Sequence, residues 1–462
     1  MNDRAPAIDD RPDEYDEDAG GPEAGDVRLA AWACLRSNAA VPLRELDWIA
    51  DEFELERRDR ALARRIVTTV FRRLGTLRAL TQVFAPRRPK PDLAAFVHIG
   101  LAQILFLDRV PDHAAVGETV AAANRALDMP RGRFVNAVLR RAIRERCEGA
   151  SGDPTRDLPL VPWHLAEPFA RTPEEHPFLW YEDALSCPSR LAKAWDNRYG
   201  AERTRRLAEV SLIEPPISVR VVDGDLDSLA IELDLEDLHP LATSGRTMLF
   251  EHNATEALIA SEAFGEGRIT IQGGTATRAA ELVEAQPGER ILDLCAAPGG
   301  KTAVMAGAGA EVVACDVEEG KLQRLHSTLE RLGLQDRVEL CLTDGTRSLG
   351  EAGFDAVLID APCSNTGVLA ARPEARWRYQ PQVLNDLRDL QARLLREGAD
   401  RVRSGGRLVW STCSLEPSEN MGQVKAFLKE RPEWTLEEEF ESLPDPESGP
   451  VDGGYAARLR FS

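Results

Sequence analysis

Apolar residues recur at spacings of three and four from Val27 to Arg146, as in "RALARRIVTTVFRRLGTLRALTQVF" and "DLAAFVHIGLAQILFL", and this period predicts a succession of amphipathic helices. Turn signals at "APRRPKPD" and "DRVPDH" separate them. Residues 27–148 are therefore expected to form an all-α domain. The next stretch, Gly149 to Pro188, is rich in Pro, Glu and aromatics without a clear period, and reads as an extended linker. A helical segment, "PSRLAKAWDNRYGAERTRRLAEVSL", and a proline-introduced strand, "PPISVRVV", then predict a small mixed α/β subdomain over 189–267.

From Arg268 the pattern changes. "RILDLCA", "EVVACDV", "RVELCLTDG", "FDAVLIDAP" and "GRLVWSTCS" are short, apolar and β-branched, with helical stretches between them. Strands alternating with helices predict an α/β, doubly wound parallel sheet over 268–462. In such sheets ligands sit beyond the carboxyl ends of the strands, at the switch in strand order. The polar residues that end these strands are where chemistry is expected.

Composition changes this picture at a few points. The chain of 462 residues has an ordinary apolar fraction, long enough for two or three domains with real cores. There is no run of about twenty apolar residues and no signal-peptide core, so a cytoplasmic protein is expected, without a membrane partner. Eight cysteines, with no CxxC pair and no HExxH, fit reduced thiols better than disulfides or a metal site. The net charge of −20 argues against a nucleic-acid partner when taken as an average. The average conceals a gradient: residues 1–26 form a strongly acidic stretch that reads as a disordered tail, whereas Ala30 to Glu148 is Arg-rich and net positive. A local basic surface survives the sum.

The first strand of the α/β region runs into "LDLCAAPGGKT", which ends like a phosphate loop. It lacks the first glycine of that motif, because Cys295 stands there and Pro298 stiffens the middle. Gly299 and Gly300 still allow close approach to the backbone at the opening of a helix. Asp316, ending the second strand, suits a ribose diol, and Asp344, after the third, suits an adenine amino group. NAD, FAD and S-adenosylmethionine all satisfy these features. Asp360 and Cys363 end the fourth strand and Cys413 the fifth, so two thiols and an acid are expected to face the crevice of the cofactor.

Carbon 5 of cytosine is a poor nucleophile until something adds to carbon 6. A thiolate suits that addition, and an acid near ring nitrogen 3, such as a protonated Asp360, helps drain the charge. A second group then assists loss of the carbon 5 proton.

"LDLCAAPGGKT", "IDAPCSNTGVLAARPEARWR" and "LVWSTCSLEPSEN" resemble the motifs of the RNA (cytosine-5) methyltransferases. "RVPDHAAVGETVAAANRAL" and "GRFVNAVLRRAIRE" resemble the NusB-like domain of the bacterial Fmu/Sun branch, which methylates 16S ribosomal RNA. The resemblance runs from about Val27 to the end, apart from the stretch 149–188. It implies an N-terminal NusB-like domain, a Rossmann-like methyltransferase domain and S-adenosylmethionine as cofactor, held by Cys295, Ala296, Ala297, Pro298, Gly299, Gly300, Lys301, Asp316, Asp344 and Asp360. It also implies Cys413 as nucleophile, Cys363 as the group assisting release, Asp360 against the base and Lys301 close to the reacting centre. RNA contacts are expected from the Arg-rich helices and the subdomain around "ISVRVV", with a monomer as the working unit and no metal.

Two stretches depart from the family pattern: Gly273 follows Gln272 where an acid is common, and Ala370 and Ala371 stand where the family tends to be basic. Transfer RNA as substrate, or a non-catalytic protein whose helical domain binds RNA or the transcription machinery while the sheet domain is vestigial, are the competing readings; the complete set of Lys301, Asp360, Cys363 and Cys413 speaks against the latter.

Overall fold

The computed structural model describes residues 25–37, 39, 41–343, 353–445 and 451–462. Most of the acidic stretch 1–26 lies outside them, as does Asp344. The chain divides into two compact units, one taking Met1–Val70 with Phe84–Arg144 and the other Phe71–Val83 with Glu145–Ser462.

The described part of the first unit is helical. Asp26 ends the acidic stretch as a helix cap, accepting from the backbone N–H groups of Arg28 (2.9 Å) and Leu29 (3.1 Å) to start Val27–Arg36. Proline opens the helices Pro42–Glu52 and Pro91–Phe106, where its missing N–H costs nothing. Pro91–Phe106 is buried from Ala95 through Leu105 and forms the centre of the unit. Its one interior amide, Gln103, is satisfied by Arg28, Ile99 and Thr119.

One expectation about the connecting regions needs correction. Within the helical region the 28-residue helix Arg57–Phe84 has its stretch Phe71–Val83 packed with the second unit. Thr76 Oγ1 donates there to Ala184 O at 3.2 Å, and Gly75 lies so close to Glu182 that an added Cβ would stand 2.1 Å from its carbonyl oxygen. The stretch 149–188 is not an extended linker throughout. It contains a strand, Trp163–Leu165, paired with Arg146–Glu148, and a helix, Pro177–Leu185, that buries Trp180 and Tyr181. Of the aromatics that obscured the period, Phe169, Trp180 and Tyr181 are core residues.

The mixed subdomain is a four-stranded antiparallel sheet in the order Ala242–Ser244, Thr247–Phe250, Ile217–Val221, Ile269–Ile271. Its last strand falls beyond the expected boundary at Gly267. Helix Leu226–Leu235 adds Leu229 and Leu233 to the apolar core made by Val219, Met248 and Phe250.

The main sheet has seven strands: β1 (Arg290–Leu294), β2 (Glu311–Asp316), β3 (Val338–Leu342), β4 (Phe354–Asp360), β5 (Val402–Thr412), β6 (Trp434–Ser442) and β7 (Gly454–Phe461). Their spatial order is β6-β7-β5-β4-β1-β2-β3. The first five are mutually parallel, and β7 and β6 add antiparallel pairs at the β5 side. Apolar cores cover both faces, one around Phe354, Trp410 and Phe427, the other around Ile291, Met305 and Leu358. The order reverses between β1 and β4, so the loops after these strands open the crevice that a doubly wound sheet offers to ligands.

Candidate active site

The loop after β1 is a tight turn. Ala296 N donates to Cys315 O (2.8 Å) and Gly299 N to Ala296 O (2.9 Å), and the Ala297–Pro298 peptide is cis. Gly299 has φ 102°, where a side chain would be strained, and Gly300 opens the helix Gly300–Gly307. This leaves helix-terminal N–H groups and a bare backbone beside the crevice, as an adenosyl cofactor needs. Burial, with the acids nearby, pushes the Cys295 thiol up to about 12, which leaves it a spectator in thiolate chemistry.

Asp316 ends β2 with its Oδ1 accepting from Val317 N (2.8 Å) and Lys321 Nζ (3.3 Å). Among the described residues no donor meets Oδ2, so a hydroxyl pair can be taken there. Val317 follows it 63% exposed, and Leu342, the register partner of Asp316 on β3, is 57% exposed. Two exposed apolar side chains at adjoining strand ends suit a flat ring. Together these features fit a bound nucleoside. Asp344 lies outside the described residues.

Lys301, on the first turn of the helix after β1, donates Nζ to Asp360 Oδ2 across 2.6 Å. Burial alone would lower the Lys301 ammonium, but the Asp360 carboxylate outweighs it and holds the ammonium above the ordinary lysine range. Behind this pair Asp293, in the middle of β1, is fully buried, with Thr302 Oγ1 donating to its Oδ2 at 2.6 Å and its Oδ1 without a partner. Burial pushes its carboxyl up to about 7.

The cysteines of the loops after β4 and β5 meet, with Cys363 Sγ 3.2 Å from Cys413 Sγ. Parallel pairing of β4 with β5, ending at Asp360 opposite Ser411, brings the two loops side by side. Asn365, itself left-handed at φ 60°, donates Nδ2 to Cys363 O (2.8 Å) and accepts from Cys413 Sγ (3.2 Å). The hydrogen bond to Cys413, followed by burial, raises the Cys363 thiol well above the usual range. Cys363 is therefore held as a thiol.

The two departures from the family pattern have spatial counterparts. A Cβ at Gly273 would meet Asp452 Oδ2 at 2.2 Å, so the carboxylate of Asp452 occupies the space next to the backbone at 273. The Ala370 carbonyl accepts from Arg72 Nη2 at 3.0 Å. Arg220, within "ISVRVV", is buried and donates Nε to Gln272 Oε1 (2.8 Å), so it is no surface cation.

The family model described as 16S rRNA methyltransferase RsmB/F matches residues 280–449, and the NusB family model matches residues 36–144. A ribosomal RNA small subunit methyltransferase B of Salmonella typhi is 32% identical over 448 residues, covering 92% of this chain and 94% of that protein. The chain belongs to the ribosomal RNA small subunit methyltransferase B family. A probable member from Synechocystis sp. is 30% identical over 419 residues, 87% of this chain and 88% of that one. The crystal structure of PH0851 shares the fold with a TM-score of 0.74 at 20% identity, over 95% of this chain and 99% of that one. As a member of the family the protein is an S-adenosylmethionine-dependent RNA methyltransferase, with a NusB domain and a Rossmann-like methyltransferase domain.

Of the residues singled out in the sequence, Lys301, Asp360, Cys363 and Cys413 converge, and Cys295–Gly300 and Asp316 border the same crevice. Sequence reasoning missed Asp293, Asn365, Glu419 and Asp452. A carboxylate inside the apolar run "ILDLC" is a signal for the first; the others depend on contacts from distant segments. Among the described residues no group of three or more His, Cys, Asp or Glu side chains is placed to hold a metal ion, and no helix is long and apolar enough to cross a membrane.

Proposed function

We propose that the protein transfers a methyl group to carbon 5 of a cytosine in 16S ribosomal RNA through a covalent adduct between Cys413 and carbon 6. The observation that carries this reading is the meeting of two thiols 3.2 Å apart next to the Lys301–Asp360 pair. The Cys413 thiolate adds to carbon 6, forming a C–S bond, and the ring's electrons move toward nitrogen 3 and carbon 5. The Lys301–Asp360 pair delivers a proton toward nitrogen 3 as that charge builds. S-adenosylmethionine, held by Cys295–Lys301, Asp316, Asp344 and Asp360, supplies the electrophilic methyl group when bound. The carbon 5 proton then leaves to a base and the C–S bond breaks, returning the electrons of that bond to Cys413. Cys363, held as a thiol, assists this release by protonating the departing sulfur. A base attacked in this way must be unstacked, which favours a loop in the RNA. The Arg-rich helical unit supplies phosphate contacts, and the enzyme acts as a cytoplasmic monomer.

The experiment incubates unmethylated small-subunit RNA and labelled S-adenosylmethionine with the wild type, Cys413→Ala and Cys363→Ala, followed by denaturing gels and mapping of methylcytosine. The reading requires that Cys363→Ala retain RNA through denaturation while Cys413→Ala neither methylates nor cross-links. An inverted pattern exchanges the roles of the thiols. A folded wild type that binds cofactor and labels no RNA would return the RNA-binding reading to the front.

A further inference from the structure

Glu419 lies six residues after Cys413 in sequence and has no solvent exposure. Its carboxylate is surrounded by donors from three segments. Oε1 accepts from Ser364 N (2.9 Å) and Gln391 Nε2 (3.0 Å), and Oε2 accepts from the hydroxyls of Ser414 (2.5 Å) and Ser364. Ser364 adjoins Cys363 and Ser414 adjoins Cys413. Gln391 also donates to Pro362 O at 2.8 Å, on the other side of Cys363. The backbone of Glu419 is itself fixed, with Trp410 Nε1 donating to its carbonyl (3.1 Å) and its own N–H donating to Glu416 O (3.0 Å).

We propose that Glu419 is a positioning residue that sets the spacing of the two thiols, by tying the Cys363 loop and the Cys413 loop to a single buried carboxylate. Among the described residues no Lys, Arg or His pairs with it, so four neutral donors stabilise this buried group. A cross-link meant only for stability would be served by a neutral or apolar contact. What the carboxylate adds is two acceptor oxygens at a fixed spacing, one for the N–H donors and one for the hydroxyls. Glu419 acts on this spacing beside Asn365 and the Gly367–Cys413 backbone bond, and its catalytic consequence rests on the cytosine reading.

The two oxygens predict different outcomes for two substitutions. In Glu419→Gln the amide oxygen can keep the N–H donors of Ser364 and Gln391, and the amide nitrogen can donate to the two hydroxyls, which turn round to accept. Glu419→Ala removes the shared acceptor: Gln391 keeps its bond to Pro362 O (2.8 Å) and the Ser364 and Ser414 hydroxyls keep each other (3.0 Å), but the Ser364 N–H loses its acceptor and the carboxylate no longer ties the two loops. The first should preserve the thiol spacing and the second should not.

The test reads thiol spacing without RNA. The full-length protein is treated with diamide, whose N=N bond takes two electrons and the two thiol protons as Cys363 and Cys413 close to a disulfide, and the linked peptides are followed by mass spectrometry. Glu419→Ala is expected to close about tenfold or more slowly than the wild type, and Glu419→Gln within about threefold of it. In methyl transfer, Glu419→Ala should lose roughly a hundredfold in kcat with the KM for S-adenosylmethionine little changed. Closure of Glu419→Ala at the wild-type rate overturns the proposal. If Glu419→Ala does not fold, Glu419→Asp, which keeps a carboxylate but draws it back by one methylene and leaves the 3.0 Å Ser364–Ser414 hydroxyl bond in place, decides by the same measurement, slow closure supporting the proposal and wild-type closure sinking it. A wild type that closes rapidly but yields no methylcytosine would remove the cytosine reading and leave the positioning role standing.

Discussion

Lys301 Nζ stands 2.6 Å from Asp360 Oδ2, joining the helix after β1 to the end of β4 at the reversal of strand order. Lys301→Met removes the half-buried ammonium and leaves Asp360 unpaired. Methyl transfer under saturating substrate is expected to fall by about a hundredfold or more. Lys301→Arg should not restore it, because a planar guanidinium cannot occupy the site of a compact ammonium. The folded-state value of Lys301 is raised, so the stability it contributes is present below the ordinary lysine value and lost only as the pH rises through the raised one. The loss in the Met variant should therefore be constant across neutral pH. A Met variant within threefold of the wild type would remove Lys301 from the reacting centre.

Asp316 offers Oδ2 while Lys321 and Val317 N hold Oδ1. Replacing it with alanine removes the acceptor proposed for a ribose diol. The affinity for S-adenosylmethionine, measured by calorimetry, is expected to weaken by about 10- to 100-fold, the cost of hydrogen bonds to a charged acceptor. Val317→Asp should weaken it as well by putting a carboxylate against the ring. Unchanged binding in both variants would move the nucleoside elsewhere.

The parallel strands were legible because each is a short apolar run stopped by a polar residue, and the meeting of Cys363 with Cys413 follows from β4 and β5 being neighbours. The rest lacked a local mark. β6, "WTLEEEFES", reads as an acidic segment because it is an edge strand whose glutamates face arginines of β7, as Glu437 does Arg458 and Arg460. Ile269–Ile271 is three residues long and becomes a strand only through pairing with Ile217–Val221. The carboxylate beside Gly273 comes from Asp452, and the donors around Glu419 come from residues 364, 391 and 414. No window of sequence holds such groups together.

Gly367 is wedged between the two cysteine loops and the start of β7. A Cβ there would lie 2.6 Å from Gly453 C and O and 2.9 Å from Cys413 O. Those neighbours are backbone, fixed by hydrogen bonds from Gly367 N to Cys413 O (2.9 Å) and from Gly453 N to Gly367 O (2.7 Å). Gly367→Ala should cost about 1–3 kcal/mol in urea unfolding and impair methyl transfer by displacing Cys413. Wild-type stability and activity together would show that the loop yields freely.

Cys363 is buried and hydrogen-bonded to Cys413, and its thiol lies well above the usual range. At about pH 8 iodoacetamide should alkylate the partly exposed Cys413 before Cys363, which is both buried and held protonated. Cys34, Cys187 and Cys295, each pushed up to about 12 chiefly by burial, should stay unmodified over the same period. Peptide mass spectrometry at early times distinguishes these sites. Labelling of Cys363 ahead of Cys413 would contradict the assignment of Cys413 as nucleophile.

Asp293 gives the fold a pH dependence whose sign is fixed. Its folded value is raised to about 7 by burial, whereas in the unfolded chain it returns to the ordinary carboxylate range. Between these values the folded state binds more protons than the unfolded one, so stability falls as the pH rises through the interval. Asp293→Asn keeps an oxygen to accept from Thr302 and has no charge to bury. Against the wild type, the Asn variant should gain in Tm on going from about pH 5 to about pH 8, by several degrees if even half of the ionisation cost is expressed. A Tm difference that stays flat over that interval would mean that Asp293 ionises in the folded state as readily as it does in water.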